Sequence, residues 1–186
     1  MEDTLSMKAT GIVRRIDDLG RVVIPKEIRR TMHIREGDPL EIYTDRDGEV
    51  IFKKYSPIGE LTNFSSQYAE TLNKTCGMPV AIVDRDVVVS SAGVPKKELL
   101  EKKISPDLDA IVNSRQLYTW KTGAQKIPVS EGSDKHFINT AMPILTEGDI
   151  IGAVVYVGAE DMHQPTDTEI KLVQTAAAFL GRQFES

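Results

Sequence analysis

The first part of the chain contains short apolar runs separated by polar residues, a pattern typical of β-strands joined by turns. Runs rich in β-branched residues predict strands at 9–16 and 21–24, with a turn at 17–20 between them. Pro25 ends the second run and suits the start of a short helix, which the pattern places at 26–32. The opening segment therefore predicts a β-turn-β arrangement followed by one short helix.

A second pair of apolar runs follows at 40–44 and 49–55, on either side of Asp47-Gly48. Asp-Gly between alternating runs favours a tight β-hairpin. Four strands and one helical turn within 7–55 leave little room for a core, and domains of this size are marginally stable alone. Their exposed strand edges must also be paired or covered. We therefore expect this domain, residues 7–55, to be an obligate dimer.

The periodicity changes to that of a helix at Ser56-Pro57, a pair that suits a helix N-terminus. The pattern predicts a helix at 57–75, with Gly77 as its C-terminal stop. Its apolar stripe consists of Ile58, Leu61, Phe64, Tyr68 and Leu72. The interpretation is a short connecting helix, at 56–77, that transmits displacement between two domains.

Residues 78–186 mix strand and helix patterns and predict an α/β domain. The predicted elements are strands at 80–83, 87–91 and 117–120, short helices at 96–103 and 107–113, a polar loop at 121–136, and a strand pair at 137–144 and 150–157. A last helix is predicted to begin at Thr166, which can form a capping box with Glu169.

The last helix has a wider apolar face than one contact requires. One stripe with a heptad-like repeat contains Ile170, Val173, Ala177, Leu180 and Phe184, and a second contains Leu172, Ala176 and Phe179. We expect one stripe to lie on the sheet of its own domain and the heptad stripe to stay free for a partner helix. The alternative is a helix buried on two sides within one chain. Because the helix at 57–75 has a similar stripe, a four-helix contact between two protomers is favoured.

Charge separates the two parts of the chain. Residues 7–55 carry 11 basic and 9 acidic side chains, whereas residues 56–186 carry 12 basic and 17 acidic ones. Within 8–30, seven bases and three acids give a net charge of +4 in a chain whose net charge is −5. Five of these bases are arginines, whose planar group binds phosphate and guanine edges with paired hydrogen bonds. This local charge predicts a polyanion partner for the first part, and the acidic part is not expected to touch DNA.

Motifs in the same basic stretch carry a family resemblance. The runs are Thr10-Gly11-Ile12-Val13-Arg14, Leu19-Gly20-Arg21-Val22-Val23-Ile24-Pro25, Ile28-Arg29-Arg30, Leu40-Glu41-Ile42-Tyr43 and Lys53-Lys54-Tyr55. With them, residues 7–55 resemble the AbrB-type transition-state regulators, which are DNA-binding proteins. The resemblance implies a barrel in which hairpins of two protomers interleave, with double-stranded DNA as the partner.

The resemblance also implies a set of DNA-contacting residues. Arg14, Arg21, Arg29 and Arg30 match the family's DNA-contacting arginines, and Lys8 and Arg15 match basic positions that neutralise phosphate. The alternative for each arginine is a surface ion pair with Asp17, Asp18 or Glu27, since such pairs are common and weak.

From residue 57 on, the order of elements resembles a GAF sensor domain, with the strand pair at 141–144 and 151–154 as the element most like that family. The resemblance implies that the loop at 121–136 can close over a small-molecule ligand. The alternative is a domain that only assembles tetramers. The predicted fold class is therefore α+β: a dimeric AbrB-like swapped-hairpin β-barrel, then a GAF-like α/β domain flanked by dimerisation helices.

Catalytic and membrane functions find little support in the sequence. His33, His136 and His163 have no metal-ligand spacing, and no phosphate-binding loop, nucleophile elbow or zinc-protease motif is present. We expect no enzyme activity, metal or cofactor. The chain lacks an apolar run of about 20 residues, its N-terminus does not resemble a signal peptide, and its single Cys76 suits a reducing cytoplasm.

Three function classes remain open. The first is a transcription regulator whose barrel dimers are joined into tetramers by the second domain. The second is a MazE-type antitoxin, a class that uses the same barrel to bind DNA and a tail to inhibit a toxin. The third is a signal-binding protein that does not use DNA. A folded second domain of more than 100 residues favours the regulator over an antitoxin, whose tails are short and disordered.

Overall fold

A computed structural model describes residues 10–60 and 62–184 of the chain. Lys8 among the implied DNA contacts, and Leu61 in the predicted helical stripe, lie outside these ranges. The chain divides into two compact units, the first ending at Tyr55 and the second beginning at Ser56. Each unit is described by itself.

Over residues 10–55, the described part of the first unit, the chain forms one helix and one hairpin. The helix α1 spans Lys26–Thr31, and the strands β1, Leu40–Thr44, and β2, Val50–Lys54, pair antiparallel. Asp45 organises the hairpin turn, because its Oδ1 accepts hydrogen bonds from the backbone N–H groups of Asp47, at 3.0 Å, and Glu49, at 2.8 Å. The hairpin that Asp47-Gly48 predicts is therefore confirmed.

The two strands predicted at 9–16 and 21–24 do not form in the single chain, over the part described from residue 10 on. Two backbone bonds close the turn between them, from Asp17 N–H to Arg21 O at 3.0 Å and from Gly20 N–H to Asp17 O at 3.1 Å. A β-strand requires a neighbouring strand to accept and donate along its length. Within the described residues these segments have no such neighbour, which explains why the prediction of strands is wrong here.

The first unit also lacks a core of its own. Between residues 10 and 55, all of which are described, only Pro25 is buried. The exposed large apolar residues of this unit are Ile12, Val13, Ile16, Leu19, Val22, Val23, Met32, Ile42, Tyr43, Val50, Phe52 and Tyr55. Monomeric soluble proteins rarely expose so much apolar surface together. This surface is a candidate interface with a second protein surface.

The second unit is built on a five-stranded antiparallel sheet. In chain order its elements are α2 Pro57–Glu60, α3 Thr62–Cys76, β3 Val80–Val83, β4 Val88–Ala92, α4 Lys96–Leu99, α5 Pro106–Asn113, β5 Tyr118–Thr119, β6 Phe137–Thr146, β7 Asp149–Gly158 and α6 Asp167–Gln183. The strand order is β4-β3-β7-β6-β5, with every pair antiparallel. Helices and antiparallel strands in separate stretches of the chain confirm the predicted α+β class.

Apolar side chains cover both faces of this sheet. The cluster that α3 and α6 bury on one face includes Ile58, Leu72, Val80, Ile82, Val154, Val173 and Leu180. The cluster on the other face includes Ala81, Val83, Leu99, Leu108, Val112, Val129 and Val155. Strands that are buried on both faces read as continuous apolar runs, as Val80–Val83 does.

The start of the second unit is anchored on the end of the sheet. Ser56 Oγ donates to Asp84 Oδ2 at 2.9 Å, and Gly59 N–H donates to Ser56 Oγ at 3.1 Å. Ile58 is fully buried against β7, where a Cβ on Gly152 would lie 2.7 Å from Ile58 Cδ1. The segment after Ser56 therefore belongs to the core of this unit.

The terminal helix confirms one prediction and corrects another. Thr166 and Glu169 form the predicted capping box. The heptad stripe, however, is not free, because Val173, Ala177 and Leu180 are buried on the sheet of their own chain. The sheet face is wide enough that both α3 and α6 are needed to cover it. The second stripe instead leaves Phe179 exposed, at 40% of its surface.

The helix predicted at 96–103 is also shorter than expected, since α4 ends at Leu99. Glu101 has a left-handed backbone, with φ at 62°, and its N–H donates to Val88 O at 2.8 Å. A residue in this conformation interrupts a right-handed helix. The segment after Leu99 therefore turns back and pairs with the start of β4.

Candidate nucleic-acid interface

The implied DNA-contacting arginines lie on three segments of the first unit. Arg14 and Arg15 precede the turn at 17–20, Arg21 follows it, and Arg29 and Arg30 lie in the last turn of α1. All five side chains are exposed. The turn brings the first two segments together through its backbone hydrogen bonds.

Asp17 organises the turn and holds Arg21. Its Oδ1 accepts from the N–H groups of Leu19, at 3.0 Å, and Arg21, at 2.8 Å, and its Oδ2 lies 2.8 Å from Arg21 Nε. The backbone hydrogen bond from Arg21, followed by the bond from its side chain, lowers the pKa of the Asp17 carboxyl. The ion-pair alternative therefore applies to Arg21, which the pair holds beside the turn.

The other four guanidinium groups, those of Arg14, Arg15, Arg29 and Arg30, make no hydrogen bond or ion pair with any residue that the structure describes. Neither Asp18 nor Glu27 neutralises them within that part of the chain. An exposed arginine without an intramolecular partner can offer its full set of donors to a ligand. These four groups can donate pairs of parallel hydrogen bonds to phosphate oxygens or to guanine edges.

Lys54 on β2 holds the end of α1, a role that sequence reasoning missed. Its Nζ donates to the backbone oxygen of His33 at 2.7 Å and lies 4.0 Å from Asp38 Oδ2. His33 has a left-handed backbone, with φ at 53°, just after the helix. The contact joins residues 21 positions apart, so no local pattern indicates it. It positions the helix that carries Arg29 and Arg30 against the hairpin.

The histidines form local contacts and no metal centre. His33 Nδ1 contacts Arg30 O at 3.1 Å, His136 pairs with Glu98, and His163 pairs with Glu169. Within residues 10–60 and 62–184, no group of three metal-ligating side chains comes together. The same ranges contain no helix that is both long and apolar enough to cross a bilayer.

In the second unit, two titratable groups with perturbed pKa values, Tyr156 and Glu169, are hydrogen-bonded to each other. Tyr156 Oη donates to Glu169 Oε1 at 3.1 Å, and burial together with that carboxylate raises the pKa of Tyr156 to about 12. Burial alone would raise the pKa of Glu169, but hydrogen bonds from Thr166, Tyr156 and His163 outweigh it and lower the pKa.

Trp120 is buried as a core residue, and its Nε1 donates to Ala124 O at 3.0 Å.

The basic first unit is similar in sequence to a known class of regulator. Over 51 residues, the chain is 65% identical to the transition state regulatory protein AbrB of Bacillus subtilis (strain 168), a match that covers 27% of this chain and 52% of the relative. The profile of the bacterial antitoxin MazE matches residues 13–59. The match to AbrB confirms the resemblance to AbrB-type transition-state regulators that the motifs indicate.

The second unit and the whole chain define the family further. The profile for the C-terminal part of stage V sporulation protein T, a transcription factor, matches residues 60–185. The chain is 52% identical over 180 residues to stage V sporulation protein T of Bacillus subtilis (strain 168), which covers 96% of this chain and 99% of that relative. The chain belongs to the stage V sporulation protein T family of transcription factors. The predicted class, a transcription regulator, is thereby confirmed.

Among solved structures, the chain is similar to a GAF domain/HD domain protein from Geobacter sulfurreducens. The match has a TM-score of 0.48 and 18% sequence identity, and it covers 66% of this chain and 91% of that one.

Proposed function

We propose that the chain is a sequence-specific DNA-binding regulator of sporulation-stage genes, in the cytoplasm and associated with the nucleoid, and that it contacts the duplex through its first unit. The observation that carries the proposal is the set of exposed guanidinium groups on Arg14, Arg15, Arg29 and Arg30, none paired within the described chain. Clustered cations of this kind attract the phosphates of a duplex. Arg21 completes the set beside its turn, and Lys8 is proposed as a further phosphate contact.

A dimer of the first unit is part of this proposal. The proposed unit is residues 7–55, and its described part, residues 10–55, has almost no core of its own. The apolar side chains and the strand-like segments of this part, which have no strand partner within it, are exposed. A swapped-hairpin barrel would supply both missing contacts. The partner's segments would provide ladder hydrogen bonds for the strand-like segments, and they would cover the apolar side chains. The two-fold axis of such a dimer would present the arginines to the duplex twice.

We propose that the second unit joins two dimers into a tetramer. Its connecting segment, at 56–77, and the rest of the GAF-like domain, at 78–186, form one core. On the outside of α3 and α6, the rings of Phe64 and Tyr68 lie 6.1 and 5.4 Å from that of Phe179. In this cluster Phe179 is exposed, whereas Phe64 and Tyr68 are half-buried against the core of the unit. The exposed ring supports a helix-to-helix contact with a second copy.

A small-molecule ligand is a second proposed role of this unit, and a specific row of residues favours it. Ser91, Ala81, Val155, Ala141 and Tyr118 lie side by side across the sheet and share one face. Ser91 Oγ is buried and has no hydrogen-bond partner in the described chain. Burial raises the pKa of Tyr118 at the other end of the row. A polar ligand could satisfy the serine hydroxyl, whose burial without a partner is costly.

Contacts with other segments hold the polar loop at 121–136 in place, whereas a lid must be able to move. Lys126 Nζ lies 2.8 Å from Glu160 Oε1, and His136 at the end of the loop pairs with Glu98.

A thermal-shift screen of nucleotides, amino acids and acyl compounds tests the sensing role. A compound that raises the melting midpoint of the wild-type chain but not of Ser91→Ala supports it, and no shift with any compound favours assembly alone.

The match of the MazE profile to residues 13–59 supports one alternative, an antitoxin that binds DNA and a toxin. Affinity purification of the full chain from its own cells tests this alternative. A toxin that remains bound in a stoichiometric amount would favour the antitoxin, and its absence would favour the regulator.

The DNA-binding proposal is tested by fluorescence anisotropy with a duplex of about 40 base pairs at two salt concentrations. The slope of log affinity against log salt is negative for a protein that binds phosphates. Arg29→Ala with Arg30→Ala should make this slope less negative by up to about 1.8, or about 0.9 for each phosphate contact that is lost. The circular dichroism spectrum should stay native, because both side chains are exposed. An unchanged slope with a native spectrum would refute the assignment.

A further inference from the structure

Four lysines form a cluster on the otherwise acidic second unit. Lys96 and Lys97 lie on α4, Lys102 and Lys103 follow shortly after it, and all four are exposed. The segment 96–103 contains these four bases and two acids, although acids outnumber bases by 17 to 12 in residues 56–186 as a whole. The unit is therefore acidic as a whole but carries a local positive surface at these four lysines, which we call the lysine cluster.

Backbone hydrogen bonds hold the two lysine pairs close together. Lys102 N–H donates to Leu99 O at 3.0 Å, which folds the chain back onto the end of α4. Glu101 N–H donates to Val88 O at 2.8 Å, and Val88 N–H donates to Lys102 O at 2.9 Å. The segment is thus fixed to the edge strand of the sheet, and the lysines lie on an ordered surface.

The positive charges of the lysine cluster are not neutralised locally. None of the four ammonium groups makes a hydrogen bond or an ion pair with the residues that the structure describes. Glu98, one of the two acids in the segment, is turned to His136, whose Nε2 contacts its Oε2. A group of unpaired cations has a field that favours an anionic polymer.

We propose that the lysine cluster is a second DNA-contacting surface, which neutralises phosphates of the duplex outside the stretch held by the arginines. The inference rests on the proposed function, since it requires that the first unit binds DNA. Lysine acts as a point charge for phosphate and needs no base sequence. Once the first unit is bound, the duplex is present at a high effective concentration for any other surface of the chain that can reach it. This favours DNA over an acidic protein as the partner.

The test uses the full chain and a labelled mixed-sequence duplex of about 40 base pairs, with anisotropy measured from about 50 to about 200 mM salt. Two double variants remove charge from the lysine cluster, Lys96→Gln with Lys97→Gln and Lys102→Gln with Lys103→Gln. The matched control, Lys121→Gln with Lys171→Gln, removes two exposed lysines elsewhere in the same unit. A fourth variant replaces all four cluster lysines by arginine and keeps the charge.

Each double variant in the cluster should make the slope of log affinity against log salt less negative by about 0.9 to 1.8, corresponding to the loss of one or two phosphate contacts. The control and the arginine variant should keep the slope of the wild type. Equal slopes for all variants, or an equal loss in the control, would overturn the inference. A change in oligomeric state without a change in slope would assign the cluster to an acidic protein surface instead. If the wild type itself does not bind the duplex, the proposed function fails, and the inference fails with it.

Discussion

The exposed apolar surface of the first unit makes a quantitative prediction about assembly. Val13 and Val23 expose 87% and 72% of their surface in the single chain. Fully burying a valine stabilises a protein by roughly 1.5 kcal/mol. Scaled by these exposed fractions, two valines from each protomer should contribute about 5 kcal/mol to a dimer that covers them, which corresponds to roughly a few thousandfold in the dissociation constant.

Val13→Asp combined with Val23→Asp should remove this contribution and add the cost of desolvating four carboxylates. Sedimentation equilibrium of the full chain measures the effect, and we expect the proposed tetramer to be reduced to a dimer held by the contact proposed for the second unit. Leu117→Asp, which adds a charge at an exposed leucine of the second unit, serves as the control and should leave assembly unchanged. If the double variant sediments as the wild type does, the reasoning that this surface is buried between protomers is refuted.

Three further predictions concern the second unit. Gly152→Ala should lower its stability by about 1–3 kcal/mol, because the new Cβ would lie 2.0 Å from Val83 O, and an unchanged denaturant midpoint would contradict this. The pKa of Glu169 is lower in the folded chain than in the unfolded chain, where it is about 4.3. The ionised carboxylate therefore stabilises the fold at pH values above the unfolded pKa. This stabilisation is lost as the pH falls through the folded pKa. Thermal melts should therefore lose less stability on acidification in Glu169→Gln than in the wild type, and parallel pH profiles would argue against it. Phe179→Ala should shift tetramers toward dimers in light scattering, whereas an unchanged mass would remove the aromatic cluster from the interface.

Local patterns predicted the elements that depend on local chemistry. Asp47-Gly48 indicates the hairpin because few residues adopt its turn, and Thr166 with Glu169 indicates the start of α6 because both groups satisfy its first N–H donors. The apolar runs at 137–144 and 150–157 likewise predict β6 and β7, which are each two residues longer than expected.

The remaining features depend on contacts that periodicity does not contain. A stripe such as Val173 and Leu180 shows which residues share a face of a helix, but not whether its own sheet or a partner covers that face. The strands expected at 9–16 and 21–24 depend on neighbours that the single chain does not provide. For the candidate site, the sequence predicts the arginines, whereas the support of α1 by Lys54 arises only from the tertiary fold.

Sequencing of the genomic DNA that the full chain retains tests the central claim most directly. The chain is incubated with sheared genomic DNA and recovered, and the wild type is compared with Arg29→Ala combined with Arg30→Ala. Lys121→Gln with Lys171→Gln serves as the charge control. We predict discrete enriched segments for the wild type and the control, and loss of that enrichment in the arginine variant while its circular dichroism spectrum stays native. Uniform recovery of DNA by the wild type, or the same enriched segments with the arginine variant, would contradict the account.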